Sequence, residues 1–322
     1  MITTLLIALA AGAASALMFA SLLTGALIAI PLFYFSPLPL MVAALGWGPV
    51  VASIGGIAAA TGLGLLFGMS FLAVFVLTVA LPAWWLGHLA LLGRRINVSV
   101  PAANGKATMA PVVEWYPVGR LLLWVAGFAA LTTMGALLTL GWDSAAIHGA
   151  LRPMLVRMMS ASEVPPTERN IAATLAMAPA AAALVAIVTL TLNLWIAGRI
   201  TATSGRLQRP WPDLSATALP PMTLVALCVA IALVFQGGTL GIFATIVSAT
   251  LIMAFAFTGF AALHMLTQGL KNRALWLGSA YALVTFLVWP IFALVVLGLA
   301  DALFGIRERF RLRGLPPPPP VA

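Results

Sequence analysis

The sequence predicts an all-α fold: a polytopic bundle of about eight to ten transmembrane helices, some of them broken by Pro or Gly. Of the 322 residues, 63% are hydrophobic and only 7% are charged, whereas soluble domains are about 25% charged. The apolar runs are continuous over about 20 residues, so they lack the alternating polarity of a transmembrane β-barrel. Because backbone groups inside lipid need internal hydrogen-bond partners, these runs must be helices.

The first block, residues 1–92, contains no Asp, Glu, Lys or Arg. Since one crossing takes about 20 residues, this block predicts about four helices. Pro and Gly mark the breaks between them. The expected helices cover residues 2–20, 22–45 (broken near Pro37), 49–67 and 70–92.

The remaining chain alternates between polar connections and apolar blocks. Its expected parts are a polar loop at 93–117, two transmembrane helices within 118–197 with a long outer loop at 142–170, a basic cytoplasmic loop at 198–219, a C-terminal transmembrane block at 220–306 and a basic, Pro-rich tail at 307–322. The later crossings are expected at 118–141, 171–197, 220–236 and 241–268. Within the outer loop, 145–160 is amphipathic at helical spacing, so it either lies on the membrane surface or packs over the bundle.

The last apolar stretch, 274–304, decides which side of the membrane receives the tail. If it crosses once, Lys and Arg divide nine against seven between the two sides. If it is a hairpin broken at Trp289-Pro290, they divide thirteen against three. The positive-inside rule favours the second arrangement. We therefore expect a bacterial inner-membrane protein whose N- and C-termini are both cytoplasmic.

No residue pattern indicates catalysis. The sequence has no paired carboxylates, no His-rich metal motif and no Gly-rich phosphate loop, and its single cysteine, Cys228, lies in an apolar run. We expect no catalytic residue, no metal ligand and no cofactor, and so no enzyme. The net charge of +9 does not indicate nucleic acid, because the basic residues flank apolar runs as topology signals do. The expected partners are the lipid bilayer and a second membrane protein.

Polar residues within or beside the apolar runs are the candidates for a binding cavity, since such groups are costly in lipid and often mark a substrate path. Broken helices around Pro31, Pro37 and Pro39 either open such a cavity or are simple kinks. For His264, the alternative is a structural role at a helix boundary or in the core. The candidate cavity residues are Tyr34, Asn193, His264 and Gln268.

Small residues in the first helix form a candidate docking face. Their four-residue spacing lets helix backbones approach closely. The face serves either internal packing or contact with a partner protein. Its members are Ala10, Gly12, Ala14 and Ala16.

Several motifs of the second half resemble the YybS-like family of predicted bacterial multi-spanning membrane proteins of unknown function. They include Leu192-Asn193-Leu194, Leu219-Pro220, Gly259-Phe260-Ala261 and the ending Gly298 to Arg307. The resemblance runs loosely over nearly the whole chain. Gly305 departs from the polar residue that the family pattern implies at that turn. Asp301 and Arg307 bracket a helix end and are expected to form an interfacial pair.

The first 92 residues are similar in style to the substrate-binding components of energy-coupling-factor vitamin transporters. The common features are the small-residue first helix, the Pro-rich break at 31–39 and the Gly46-Trp47-Gly48-Pro49 opening of the third helix. In that group the first helix docks onto a coupling subunit, so the resemblance implies docking for Ala10 and Ala14. Extra helices after residue 170 depart from the six-helix pattern.

The leading hypothesis is a transport-related or substrate-binding membrane component without its own energy source. It rests on the broken, Gly-rich N-terminal block and on the missing catalytic and nucleotide motifs. One alternative is a structural or assembly protein acting through helix–helix contacts. The other is a lipid-handling membrane enzyme that uses the interfacial residues His148, Arg152 and Arg157.

Overall fold

The structure, a computed structural model, describes residues 2–101, 107–161 and 165–313. Lys106 of the predicted polar loop and the Pro-rich end of the tail lie outside the described residues. The all-α prediction is confirmed. The helices are α1 (Ile2–Ala20), α2 (Ala29–Tyr34), α3 (Leu38–Trp47), α4 (Pro49–Phe67), α5 (Met69–Phe75), α6 (Leu81–Ala90), α7 (Val118–Leu138), α8 (Ser144–Ser160), α9 (Glu168–Thr203), α10 (Met222–Val234), α11 (Gly238–Leu266), α12 (Arg273–Leu287), α13 (Ile291–Phe304) and α14 (Ile306–Arg313).

Seven helical segments among the described residues are long and apolar enough to cross a bilayer. The chain is therefore a multi-pass integral membrane protein. Some segments join neighbouring helices, as where α5 and α6 continue through a π-helical turn at Val76–Ala80. The seven segments are Ile2–Thr24, Ala29–Trp47, Pro49–Phe67, Met69–Ala90, Val118–Leu138, Glu168–Thr203 and Gly238–Leu266.

Pro and Gly separate the helices of the N-terminal block, as the sequence indicates. Gly48 and Gly68 have φ angles of 100° and 94°, which side chains other than glycine rarely adopt. Pro39 and Pro82 stand in the first turns of α3 and α6, where a missing N–H costs no helical hydrogen bond. The break near Pro37 is present, between α2 and α3.

The connection 93–117 was predicted to be a loop, and that prediction is wrong in part. It contains an antiparallel hairpin of β1 (Gly93–Pro101) and β2 (Ala107–Trp115). The period-two pattern of Arg95-Ile96-Asn97 is the local signal for a strand. At the base of the hairpin, the Arg94 Nε donates to Glu114 at 2.6 Å.

The described chain divides into two compact units. Unit 1 holds residues 1–128 and 186–212, and unit 2 holds residues 129–185 and 213–322. In unit 1, α1 packs chiefly against α4, and α3 contacts α1, α4 and α6. The closest approach joins Gly12 to Gly55, where an added Cβ on either glycine would overlap a backbone carbonyl of the facing helix.

In unit 2, α11 is the central helix. α10 and α13 both pack against it, and most of its residues from Ala244 to Met265 are buried. α8 covers part of the same unit, because Ile147 lies in a buried cluster with Ala183 and Ile246. The amphipathic segment 145–160 therefore forms a helix that packs over the bundle, with its apolar face inward.

The apolar stretch 274–304 is broken where the hairpin alternative placed the break. Val288 has a φ angle of 59°, and the Trp289 N–H donates to the Leu287 carbonyl at 2.6 Å. This geometry is a γ-turn, which is rare and strained for a β-branched residue. Pro290 then caps the start of α13. α12 and α13 are consequently separate helices of 15 and 14 residues.

Candidate functional site

The strongest candidate site lies where two short helices of unit 2 end beside α11. α10 packs along the first part of α11, since Gly241 faces the Val234 carbonyl. α13 runs antiparallel to the second part, with Gly298 against Phe255 and Gly259 against Leu294. α10 and α13 have 13 and 14 residues, or about 20 Å each, whereas α11 has 29 residues and spans about 43 Å.

The two short helices therefore match the length of α11 when they are taken end to end. We call the region where α13 ends and α10 begins the helix junction, defined by residues 213–222 and 301–311. It lies about half-way along α11. The 3₁₀ turn Leu214–Ala216, just before α10, also contacts α11.

A buried ion pair closes the helix junction. The Arg307 Nε donates to Asp301 Oδ2 at 2.7 Å, its Nη2 forms an ion pair with the same oxygen at 2.6 Å, and the Arg307 backbone N–H donates to Asp301 Oδ1. The Arg307 Nη1 donates to the carbonyl oxygens of Ser215 and Thr217, both at 2.8 Å. The two side chains are 9% and 8% exposed. Such a pair is stable in a low-dielectric interior because every charged atom is hydrogen-bonded.

Gly305 makes this pair possible. It has a φ angle of 60° and ends α13, and its N–H donates to the Asp301 carbonyl. The left-handed turn brings the backbone of Arg307 back toward Asp301. A glycine at this position is thus explained by the turn.

Exposed charges border the buried pair. The Arg311 guanidinium lies 4.0 Å from the Asp213 carboxylate, and the two side chains are 58% and 63% exposed. The Ser215 hydroxyl donates to Asp213 at 2.6 Å, and this hydrogen bond is the main cause that lowers the pKa of the Asp213 carboxyl. The helix junction therefore contains both desolvated and solvated charge.

Two of the predicted cavity residues meet in unit 1. The Asn193 Nδ2 donates to the Tyr34 carbonyl at 2.9 Å and to the Thr189 carbonyl at 2.8 Å. Asn193 is fully buried, and its Oδ1 has no partner among the described residues. Tyr34 contributes its carbonyl at the end of α2, while its side chain is 40% exposed. Asn193, which lies on α9, thus binds the end of α2 and stabilises the break between α2 and α3.

The other two predicted cavity residues lie in unit 2. The His264 Nε2 is 2.8 Å from the Tyr281 hydroxyl, and the Tyr281 ring stacks on Phe260 with centroids 4.9 Å apart. These contacts join α11 to α12, which favours a packing role for this histidine. Gln268 is exposed beyond the end of α11.

The predicted docking face on α1 needs correction. Ala10 and Gly12 are two residues apart, and so are about 200° apart around a helix. The buried side of α1 consists of Ala8, Gly12, Ser15 and Phe19, whereas Ala10 is exposed and Ala14 and Ala16 are partly buried. Gly12 packs internally against α4, and the four predicted residues do not share one face.

Three arginines that follow one another along the chain each lie over a tryptophan in unit 1. The guanidinium carbons of Arg199, Arg206 and Arg209 lie 5.2, 5.5 and 5.7 Å from the ring centroids of Trp211, Trp47 and Trp115. The chain reverses after α9, because the Arg206 and Leu207 N–H groups both donate to the Thr201 carbonyl. We call this set the arginine–tryptophan end, defined by these three pairs.

Arg209 is the interior member of the arginine–tryptophan end. Its Nη1 donates to the Ala90 carbonyl at 3.0 Å and to the Tyr116 carbonyl at 3.4 Å. It thereby satisfies a terminal carbonyl of α6, where a positive charge is favourable. Burial lowers the pKa of the Arg209 guanidinium.

The sequence indicated Asp301 and Arg307 but missed their partners. Carbonyl oxygens carry no residue-type signal, so Ser215 and Thr217 were not identifiable. The arginine–tryptophan pairs left a weak signal, since both residue types flank the apolar runs. Tyr281 gave none.

No family model, no curated protein and no solved structure matches the chain.

Proposed function

We propose that the chain is a transport-related membrane component without its own energy source, with a solute path that includes the helix junction. The supporting observation is the pair of half-length helices whose ends meet beside α11 around buried charge. Discontinuous helices that end at the bilayer midplane form the substrate sites of many transporters.

The depth of the helix junction connects this geometry to transport. α11 is about 43 Å long, so when it crosses a hydrocarbon core of about 30 Å, the helix junction lies beneath one membrane surface. Exposed Asp213 and Arg311 side chains are costly in hydrocarbon. They are tolerated there only if water reaches them, so the proposal requires a water-filled vestibule that extends from that surface to the helix junction.

Thiol labelling tests this vestibule. Ala216 is exposed within the helix junction, and Cys228 is exposed on α10. A membrane-impermeant maleimide should modify Ala216→Cys, in a Cys228→Ala background, from one side of sealed vesicles only. Cys228 of the unmodified chain, which the proposal places against lipid, is the matched control and should stay unlabelled. An unreactive Ala216→Cys, or equal labelling of both cysteines, contradicts the vestibule.

Bound solute tests the transport role itself. The protein is purified in mild detergent and denatured, and the released small molecules are identified by mass spectrometry. We expect a solute that Ala216→Trp, which fills the helix junction, reduces at least tenfold. The control, Ala282→Trp on exposed α12, should retain it. If both variants retain the solute equally, it binds elsewhere. If neither the unmodified chain nor either variant releases a solute, the result counts against a substrate-binding role.

A further inference from the structure

The arginine–tryptophan end presents two guanidinium groups with free donors. Arg199 and Arg206 are exposed, and among the described residues neither guanidinium has an ion pair or a hydrogen bond. Their only described contacts of this kind are the indole rings of Trp211 and Trp47. Stacking occupies one face of a guanidinium, whereas its N–H donors lie in the plane and remain available.

The tryptophans hold these arginines in place. Trp211 packs against α9 at Gly198, where an added Cβ would lie 3.4 Å from the indole. Trp47 ends α3, and a Cβ added at the neighbouring Gly46 would lie 3.6 Å from the Cβ of Arg206. A positioned guanidinium loses less rotamer entropy when it binds an anion than a free one does.

The surrounding charge is positive. The segment 198–212 contains three arginines and no acidic residue. Arg209 already satisfies the carbonyl at the end of α6, and Arg94 is paired with Glu114. Arg199 and Arg206 therefore carry charge that the described part of unit 1 does not neutralise.

The position of the two arginines along α9 indicates the anion. The apolar part of this candidate span ends at Ala197, and Arg199 and Arg206 follow within nine residues. Tryptophan and arginine at the polar end of a span lie at the depth of lipid headgroups. The anion available at this depth is the phosphate of a lipid headgroup that carries a net negative charge.

We propose that Arg199 and Arg206, stacked on Trp211 and Trp47, make the arginine–tryptophan end a binding site for anionic phospholipid, with each arginine binding a headgroup phosphate. Bidentate hydrogen bonds from each guanidinium bind the phosphate oxygens. The indole rings contact the glycerol and the upper acyl chain. This site is independent of the helix junction and of the transport proposal.

Lipid titration tests the site. The purified full chain in detergent is titrated with phosphatidylglycerol, with phosphatidylcholine, or with inorganic phosphate, and bound lipid is counted by native mass spectrometry. We expect tight, salt-sensitive binding of phosphatidylglycerol alone. Arg199→Gln combined with Arg206→Gln should weaken it about tenfold or more, since two charge-assisted contacts are lost. The matched control, Arg94→Gln, removes an arginine that is already paired and should change the affinity less than twofold.

A charge-retaining variant keeps the test valid if the double glutamine variant folds poorly. Arg199→Lys with Arg206→Lys preserves charge but loses the planar donors, so its affinity should fall between those of the parent and the glutamine variant. Equal affinity for phosphatidylcholine, unchanged binding by the glutamine variant, or saturation by inorganic phosphate without lipid would each overturn the proposal.

Discussion

Arg307 shows how one side chain can organise the end of this chain. Its guanidinium joins the end of α13 to two carbonyl oxygens of the turn before α10. The same residue neutralises Asp301, which would otherwise be a buried, unpaired carboxylate. The ion pair therefore stabilises the helix junction as a unit and does not act as a free charge.

Replacing Arg307 by leucine should strongly destabilise the protein. The change leaves the Asp301 carboxylate and two carbonyls without their partner, and breaking a buried pair costs about 3–5 kcal/mol. Thermal unfolding in detergent, followed by loss of helical circular dichroism, measures the effect. Arg309→Leu, at an exposed position of the same helix, is the control and should change stability by about 0.5 kcal/mol or less. Equal melting temperatures for both variants contradict a structural role for the pair.

The sequence predicted the Asp301–Arg307 pair because both residues flank one helix end. It did not predict a role for Asn193 at the helix break, since that contact joins residues 159 positions apart. The Tyr34 carbonyl that Asn193 binds has no signature in the sequence. Residue types predict which groups need partners, but only folding selects the partners.

At the scale of helices, close backbone contact is the recurrent packing mode. Gly298 faces the Phe255 carbonyl, and Gly259 faces the Leu294 carbonyl, so α11 and α13 touch without intervening side chains. Small residues permit such approach in membranes, where packing and not the hydrophobic effect holds helices together. The Gly12–Gly55 contact repeats the pattern in unit 1.

Gly298→Ala should destabilise the protein although alanine favours helices. The new methyl group would overlap the Phe255 carbonyl, and overpacking of this kind costs about 1–3 kcal/mol. Gly278→Ala on α12 is the matched change, because its added Cβ meets open space. That variant should be neutral or stabilised by up to about 1 kcal/mol. Chemical unfolding in mixed micelles compares them, and a stabilised Gly298→Ala would show that α13 does not pack as described.

For the whole molecule, the positive-inside rule predicts the membrane topology. In unit 1, α3, α6 and α9 end at the arginine–tryptophan end, and the rule predicts that this end faces the cytoplasm. The tail from Arg307 to Arg313 carries four arginines, so the same rule predicts that the tail lies in the cytoplasm with the N-terminus.

Reporter fusions test that topology. Fluorescent protein fused at either terminus should fluoresce, and alkaline phosphatase at the same positions should be inactive, because both ends are predicted to be cytoplasmic. Fusion at Gly237, in the turn between α10 and α11, should give the opposite pattern and is the internal control. An active phosphatase at Ala322 would show that α13 completes a crossing, and would remove the half-length geometry on which the helix junction depends.

The sequence by itself determined the membrane class, most spans and most helix breaks, although the crossing expected at 220–236 is a helix of only 13 residues. These follow from composition and from Pro and Gly, which determine the backbone conformation of nearby residues. Only the tertiary structure decided that the polar connection pairs as a hairpin, that Gly12 faces inward and Ala10 outward, and that α10 and α13 end at one buried ion pair. The reason is physical: Arg307 meets Ser215 across 92 residues of chain, and contacts so distant depend on how the helices pack.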